Sequence, residues 1–393
     1  MLIKQFKTEE EFRYFLKDRG INVRLTERFA PSSNFISIFF EGYDSFEREI
    51  LQASQASCVS CIKLEGGFLI MGSRESINSF CSKIVKSHRE LAFEILNTIS
   101  NYKKFHFRLE YNQKILNLGL KTAVMGVINL TPDSFSDGGL IKTPQDALER
   151  AKTLIEEGAD IIDLGAESTR PNSERIDAKE ELRRLIGPLE LIRKSFPNIW
   201  ISVDTYKSEV AKEALESGAD IINDVTGGVF DERIYEVVSK YNCPYIIGHI
   251  RGRPETWLID PPTYSDVMYE VISDLRLRLR VLKDAGYSST PILDPGIGFG
   301  KGPVENLTIL KRFSELRIFG LPTMVGVSRK SFLGLIVKEF LNRDLKPQER
   351  LSAGLGAIAN AVMEGCHIVR THDVAKTREF LVLIDAIRTC YGL

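Results

Sequence analysis

Ala123-Val-Met-Gly-Val-Ile-Asn129 and Asp160-Ile-Ile-Asp-Leu-Gly-Ala166, with the stretch from Gln145 to Glu157 between them, decide the fold. The two short runs are almost continuously apolar, as strands covered on both faces are. The joining stretch is amphipathic and stops at Gly158, a residue able to take the left-handed conformation that closes a helix. Strand, helix and strand in that order make one parallel crossover unit. Further strands are expected at Trp200 to Thr205, Ala219 to Val225, Pro244 to His249, Pro291 to Gly296, Pro322 to Val327 and Cys366 to His372. Helical stretches separate them, for example Ser208 to Ser217, ending at Gly218. Eight such units in succession predict an α/β fold closed into a (β/α)8 TIM barrel. An open doubly wound sheet would rarely need eight and would carry a glycine fingerprint after its first strand, which is missing here.

Upstream of the barrel, Phe105-His-Phe-Arg-Leu-Glu-Tyr111 and Lys114-Ile-Leu-Asn-Leu-Gly-Leu120 flank Asn112-Gln113 and predict a hairpin that plugs the N-terminal mouth. The boundary then falls near residue 103, with the barrel over residues 104–393 and a small α/β domain of unknown task over residues 1–103. That first domain mixes helix signals at Thr8 to Lys17, Asp44 to Ser54 and Ser73 to Thr98 with strand-like Asn34 to Phe40 and Gly67 to Met71. A length of 393 residues, 43% of them hydrophobic, accommodates a barrel and one further core.

Charge excludes some partners. With 52 basic and 53 acidic side chains, nothing draws the whole protein to nucleic acid or an acidic membrane, so small-molecule substrates are expected. The first ten residues turn charged at once and no long apolar run follows, which predicts a cytoplasmic protein without a membrane span. Six scattered cysteines suit reduced thiols. Cys58-Val-Ser-Cys61 has a redox or metal spacing, but no second pair or histidine cluster completes a zinc set, and the pair reads as two small half-buried residues.

Barrel enzymes hold their reactive groups where the βα loops converge, at the C-terminal ends of the strands. Those ends carry Asn129, Glu167-Ser168-Thr169-Arg170, Asp204, Asn223-Asp224, His249, Asp294, Ser328-Arg329-Lys330 and Arg370-Thr371-His372. Any one could be a satisfied structural residue, yet polar groups ending all eight strands describe a site. Asp204, Asn223 and Asp294, with Lys330 beside them, suit a flat heterocycle that offers both donors and acceptors. Arg170, Arg370 and His372 suit an anion such as phosphate, and Asn129 supplies a neutral oxygen for a magnesium ion otherwise held by water and substrate phosphates. Thr131-Pro-Asp-Ser-Phe-Ser-Asp-Gly-Gly139 and Arg170-Pro-Asn-Ser-Glu-Arg-Ile176 are dense in turn formers and read as mobile lids. Asp294-Pro-Gly-Ile-Gly-Phe-Gly-Lys301 invites a phosphate-loop reading and fails it, because Pro295 holds the first glycine position and Gly302 follows the lysine. Its glycines are expected to turn the backbone sharply and admit a ligand beside Phe299.

Taken together, Val124-Met-Gly-Val-Ile-Asn-Leu-Thr-Pro-Asp-Ser-Phe-Ser-Asp-Gly-Gly139, Asp163-Leu-Gly-Ala-Glu-Ser-Thr-Arg-Pro171, Ser202-Val-Asp-Thr205, Ile222-Asn-Asp-Val225, Leu293 to Lys301, Ser328-Arg-Lys-Ser-Phe332 and Arg370-Thr-His-Asp-Val374 resemble the dihydropteroate synthase family across the barrel. The resemblance implies condensation of (7,8-dihydropterin-6-yl)methyl diphosphate with p-aminobenzoate to give dihydropteroate and diphosphate for folate synthesis. It implies that Asn129 binds Mg2+, and that Asp204, Asn223, Asp294 and Lys330 hold the pterin. Thr169, Arg370 and His372 would contact the diphosphate-bearing substrate. Ser328, Phe299, Thr169 and Pro171 would border the p-aminobenzoate pocket, with Arg170 and Phe135 arriving on the lids. Asp204, Lys330, Arg370 and His372 would carry catalysis, and sulfonamides would compete as p-aminobenzoate mimics.

Two departures stand out. Asn172 replaces a common glycine after Thr-Arg-Pro, and Gly248-His-Ile-Arg-Gly252 lacks the flanking methionines usual in the family, which predicts a slightly roomier pterin wall. The first domain is too short for the pyrophosphokinase that precedes some eukaryotic relatives, so stabilisation, homodimer formation or docking is the expected task. Two other functions fit the fold. A methyltetrahydrofolate corrinoid methyltransferase would need neither the anion site nor the long first loops, and a non-catalytic pterin-binding paralogue would bind without turnover.

Overall fold

The computed structural model describes residues 2–4, 36–64, 66–131, 141–168, 175–257 and 259–389. The chain divides into two compact units, Met1–Lys104 with Arg317–Gly320, and Phe105–Leu316 with Leu321–Leu393.

In the first unit, β1 (Leu2–Lys4), β2 (Ile36–Glu41), β3 (Ser60–Leu64) and β4 (Gly67–Gly72) pair antiparallel in the order β1-β2-β4-β3. Phe40 and Phe68 stack at 5.7 Å in a core with buried Ile38, Ile70, Ile77 and Phe80. The helix expected from Ser73 to Thr98 is two helices, Arg74–Ile84 and Arg89–Lys103. Ser73 caps the first by accepting the Ser76 N–H at 3.2 Å. Between them the N–H groups of Ser87 and His88 fold back on the Ile84 carbonyl, and His88 buries its ring 4.4 Å from that of Phe46, with Nε2 2.8 Å from Glu49. A tertiary contact breaks this helix, with no glycine or proline to announce it. Cys61 is half-buried in β3, where burial pushes its thiol up to about 11, whereas Cys58 is exposed in a turn at φ +54°. Both are free thiols, and the half-buried reading holds for Cys61 alone. The helix expected at Thr8 to Lys17 lies outside the described residues.

The second unit opens with a hairpin, β5 (Phe107–Tyr111) and β6 (Lys114–Leu118), joined by Asn112 and Gln113 at φ +47° and +62°, the left-handed pair that suits a tight two-residue turn. Then come eight parallel strands: β7 (Ala123–Asn129), β8 (Ile161–Gly165), β9 (Trp200–Asp204), β10 (Ile221–Asp224), β11 (Tyr245–Gly248), β12 (Ile292–Asp294), β13 (Met324–Gly326) and β14 (Ile368–Thr371). They run in the order β12-β11-β10-β9-β8-β7-β14-β13, and a parallel bridge from Leu293 to Thr323 joins the two edges. The result is the expected barrel, and each strand lies within its expected run.

Helices connect the strands, and their starts follow side-chain chemistry. Thr143 and Asp146 form a reciprocal capping box before Pro144–Glu156, and Asp177 accepts the Glu180 N–H at 2.8 Å to open Ala178–Ser195. Gly158 and Gly218 take left-handed φ of +96° and +105° where helices end.

The N-terminal mouth is filled. Phe107, Leu109 and Leu118 of the hairpin pack with the first residues of the strands, among them Ala123, Ile161, Trp200, Ile221, Ile292 and Ile368. Lys114 of the hairpin pairs with buried Asp220, which also receives Arg193 and the Ile201 N–H. The plug is thus held by apolar packing and by one compensated buried carboxylate.

Candidate active site

At the opposite end of the barrel the described residues surround a cavity. A cavity of about 520 Å3 gathers Asn129 from the end of β7, Asp204 from β9, Asn223 from β10, Asp294 from β12, Ser328 and Lys330 after β13, and Arg370 and His372 from β14 and just beyond. Glu167, Ser168 and Phe299 complete much of the remaining wall.

At its floor lies a charge cluster. Arg370 donates from Nε to Asp163 at 2.6 Å and from Nη2 to Asp204 at 2.7 Å. Asp163 is fully buried and also accepts the Asn223 amide at 3.3 Å. Burial pushes the Asp204 carboxyl up to about 7, against the pull of Arg370, and the nearby Asp163 charge adds to the rise. Burial opposes the charge on Arg370 as well, but its two carboxylates outweigh it and hold the guanidinium above its ordinary value. Asn223 is 1% exposed and its Oδ1 has no protein partner among the described residues. A buried acceptor left alone costs about 1–3 kcal/mol, so one lining a cavity is poised for a ligand donor.

The second cluster lies across the cavity. Asp294 Oδ1 accepts the Gly296 N–H at 2.8 Å, and burial raises its carboxyl although Lys330 opposes the rise. Lys330 donates to the Ile297 carbonyl and its ammonium sits 4.3 Å from the centre of the Phe299 ring. Burial lowers it to about 8, with Asp294 holding it from falling further. His372 Nδ1 lies 3.0 Å from Ser328 Oγ, which also accepts the His372 backbone N–H at 3.2 Å. The combination can hold a flat polar ring at its edge, an aromatic ring beside Phe299 and an anion near His372.

Not every expected strand-end group joins. His249 is fully buried away from the cavity, with Nε2 3.0 Å from Asp274 and Nδ1 2.9 Å from Lys301 Nζ. Asp224 is saturated by Thr226, Gly228 and Tyr245, and Thr371 bonds Thr377. Polar identity at a strand end does not distinguish Asp224 and Thr371 from their cavity-lining neighbours Asn223 and Arg370, because adjacent residues on a strand face opposite sides. At Gly248 a Cβ would stand 2.5 Å from the Val225 backbone, so a larger side chain does not fit this close approach; Val225 lines the cavity, and Ile250 is buried and does not. Thr169, Arg170, Pro171, Asn172 and Phe135, with most of both expected lids, lie outside the described residues.

Asp163, Trp257 and Arg350 belong to the site or its support and were not expected there. A signal existed for Asp163, a lone carboxylate inside an apolar strand, which needs a buried cation partner. Trp257 comes from a turn and Arg350 from the short 3-10 helix Pro347–Arg350, where no periodicity marks them.

The sequence profile of the family described as pterin binding enzyme matches residues 125–372. A dihydropteroate synthase of Synechocystis is 38% identical over 293 residues, covering 74% of this chain and 98% of the relative. That of Escherichia coli K12 is 40% identical over 264 residues, covering 67% of this chain and 90% of the relative. Among solved structures, Yersinia pestis dihydropteroate synthase in a sulfonamide drug complex superposes with a TM-score of 0.67 at 34% identity, covering 72% of this chain and all of that one. The Xanthomonas albilineans enzyme in complex with 7,8-dihydropteroate gives 0.62 at 33%, covering 72% and 99%. The chain therefore belongs to the pterin-binding enzyme family and, within it, to the dihydropteroate synthases, transferases of folate synthesis.

Proposed function

We propose that the barrel mouth joins (7,8-dihydropterin-6-yl)methyl diphosphate to p-aminobenzoate, with Asp204, Asn223, Asp294 and Lys330 holding the pterin. The observation that carries this assignment is the set of buried acceptors around one cavity, with Asn223 Oδ1 unpartnered and Asp204 and Asp294 both pushed toward the neutral range by burial. A pterin edge rich in N–H groups supplies what these acceptors lack, and it favours the ionised carboxylates by bonding them.

In the reaction the arylamine nitrogen donates its lone pair to the methylene carbon. The carbon–oxygen bond to diphosphate breaks, the leaving group keeps that electron pair, and the amine proton passes to solvent. No protein nucleophile is required. As positive charge develops on the pterin methylene, ionised Asp204 stabilises it, a contribution available because the carboxylate is preorganised by Arg370. Arg370, His372 and Thr169 face the diphosphate in this reading, while Phe299, Ser328, Pro171 and the lid residue Arg170 enclose p-aminobenzoate. Arg370 spends two of its five N–H groups on carboxylates, which leaves donors on Nη1 and Nη2 for substrate.

Asn129 lines the same cavity and fits a magnesium ion as one neutral oxygen ligand. No group of three or more His, Cys, Asp or Glu among the described residues could hold a metal unaided, so the fit is to an ion carried largely by water and substrate phosphates. Such an ion would neutralise the departing diphosphate.

The reading extends to a cytoplasmic enzyme of small-molecule substrates that pairs as a homodimer. No helix among the described residues is long and apolar enough to cross a membrane. Leu335, Phe340 and Leu341 stand exposed on the helix Ser331–Leu341, an apolar surface suited to a second copy. The test of the proposal is diphosphate release by the full chain. Release should require pterin diphosphate, p-aminobenzoate and magnesium together, and a sulfonamide should raise the KM for p-aminobenzoate. Release that ignores p-aminobenzoate would count against it.

A further inference from the structure

The glycine loop after β12 is shaped by two lysines, and the proposed chemistry uses only one of them. Gly296, Gly298 and Gly300 lie at φ +68°, +80° and +64°, so the segment curls on itself. Its outer side meets Lys330, which takes the Ile297 carbonyl. Its inner side meets Lys301, whose Nζ donates to the carbonyls of Gly296 at 2.9 Å and Phe299 at 3.1 Å, and lies within reach of His249 O at 3.2 Å. The fourth neighbour is His249 Nδ1 at 2.9 Å. The Asp274 carboxylate can only accept, so the ring proton sits on Nε2, which donates to it at 3.0 Å, and Nδ1 accepts from Lys301, whose ammonium burial disfavours. The chain Asp274, His249, Lys301 thus runs from a half-exposed carboxylate on the helix Val267–Asp284 to the backbone of the site wall. The packing leaves no slack: a Cβ at Gly296 would stand 1.8 Å from the His249 carbonyl.

We infer that Lys301 is a positioning residue that holds the glycine loop, and with it Phe299, in shape to capture p-aminobenzoate, with His249 and Asp274 fixing its direction. The ammonium bonds two carbonyls of one short loop, and the Phe299 carbonyl is the second of them. Phe299 has no strand beneath it, whereas Asp294 and Asn223 are seated in β12 and β10. Losing Lys301 therefore loosens the aromatic wall more than the pterin seat. This inference rests on the proposed assignment of Phe299 to the p-aminobenzoate pocket, but the state of the loop can be read without turnover.

The experiment compares wild type, Lys301→Met and Asp274→Ala by hydrogen exchange of the 296–301 amides, by calorimetric affinity for pterin diphosphate and by steady-state kinetics. Lys301→Met should speed exchange in the loop at least tenfold and raise the KM for p-aminobenzoate at least tenfold, with pterin affinity within threefold of wild type. Asp274→Ala, at the half-exposed end of the relay, should move the same two quantities in the same direction by two- to fivefold, and it decides the matter if Lys301→Met does not fold. Unchanged loop exchange, or equal losses for the two substrates, overturns the inference. A wild type that makes no dihydropteroate would sink the proposed function instead, leaving hydrogen exchange to judge the lysine.

Discussion

The two ends of the barrel are built on the same eight strands, yet one is sealed and the other is a site. At the N-terminal end the inward residues are Ala123, Ile161, Trp200, Ile221, Ile292 and Ile368, and a hairpin caps them with Phe107, Leu109 and Leu118. At the C-terminal end the same strands deliver Asn129, Asp204, Asn223, Asp294 and Arg370 into a cavity. Each end also buries a carboxylate, and the contrast between these is the instructive one. Asp220 at the sealed end is paired with Lys114 and Arg193, takes the Ile201 N–H, and belongs to the scaffold. Asp204 at the C-terminal end has one arginine shared with Asp163, and its carboxyl is raised to about 7. Two cations on one buried carboxylate make scaffold, and one arginine divided between two carboxylates leaves a raised carboxyl for a binding site.

The sharpest way to break that comparison is Arg370→Ala, which strands two buried carboxylates at once. kcat/KM should fall a thousandfold or more, and urea unfolding should register a loss of about 3–5 kcal/mol. A loss of activity under tenfold would separate the charge cluster from catalysis. Next come Lys330→Ala and Asp294→Ala, each expected to lower kcat/KM well over tenfold in substrate-saturation kinetics while leaving stability largely intact. Wild-type turnover in both would remove the pterin seat from this end.

Acidity offers a third probe. Asp204 carries charge above about 7 and Lys330 carries charge below about 8, so pterin affinity should rise as pH climbs through the first value and fall past the second. Calorimetric titration across that range checks the bell, and Lys330→Met should erase only its alkaline limb. The smallest expected effect on activity belongs to the sealed end. Phe107→Ala should cost about 3–5 kcal/mol in stability and leave kcat/KM within twofold, and a larger kinetic loss would mean that the plug and the site are coupled.

The barrel was legible because its strands are apolar on both faces and its helices end at glycines such as Gly158 and Gly218, signals that are local. The helix break at Val85–His88 was not legible, since the buried His88 ring that makes it is held by Phe46 and Glu49, distant in sequence. In the site, strand ends name Asn129, Asp204, Asn223, Asp294 and Arg370, which line one cavity. They equally name Asp224 and Thr371, because period-two geometry sends neighbouring residues to opposite faces and a short strand leaves the register open, and His249, which lies just past the end of its strand. Asp163 is a lone carboxylate inside an apolar strand, and the partner it needs, Arg370, lies 207 residues away, where sequence alone does not show that Arg370 is shared between two carboxylates. In sequence Lys301 is the lysine of a phosphate-loop pattern that fails, and its bonds to Gly296 and Phe299 depend on a backbone curl that only the fold reveals.

The most direct test of the account is the stoichiometry of a single reaction of the full chain with pterin diphosphate, p-aminobenzoate and magnesium, with dihydropteroate and diphosphate quantified by chromatography. One dihydropteroate per diphosphate, with both lost in Lys330→Ala and both retained in Phe107→Ala, is the predicted result. Diphosphate released without dihydropteroate, or product formation untouched by Lys330→Ala, would contradict it.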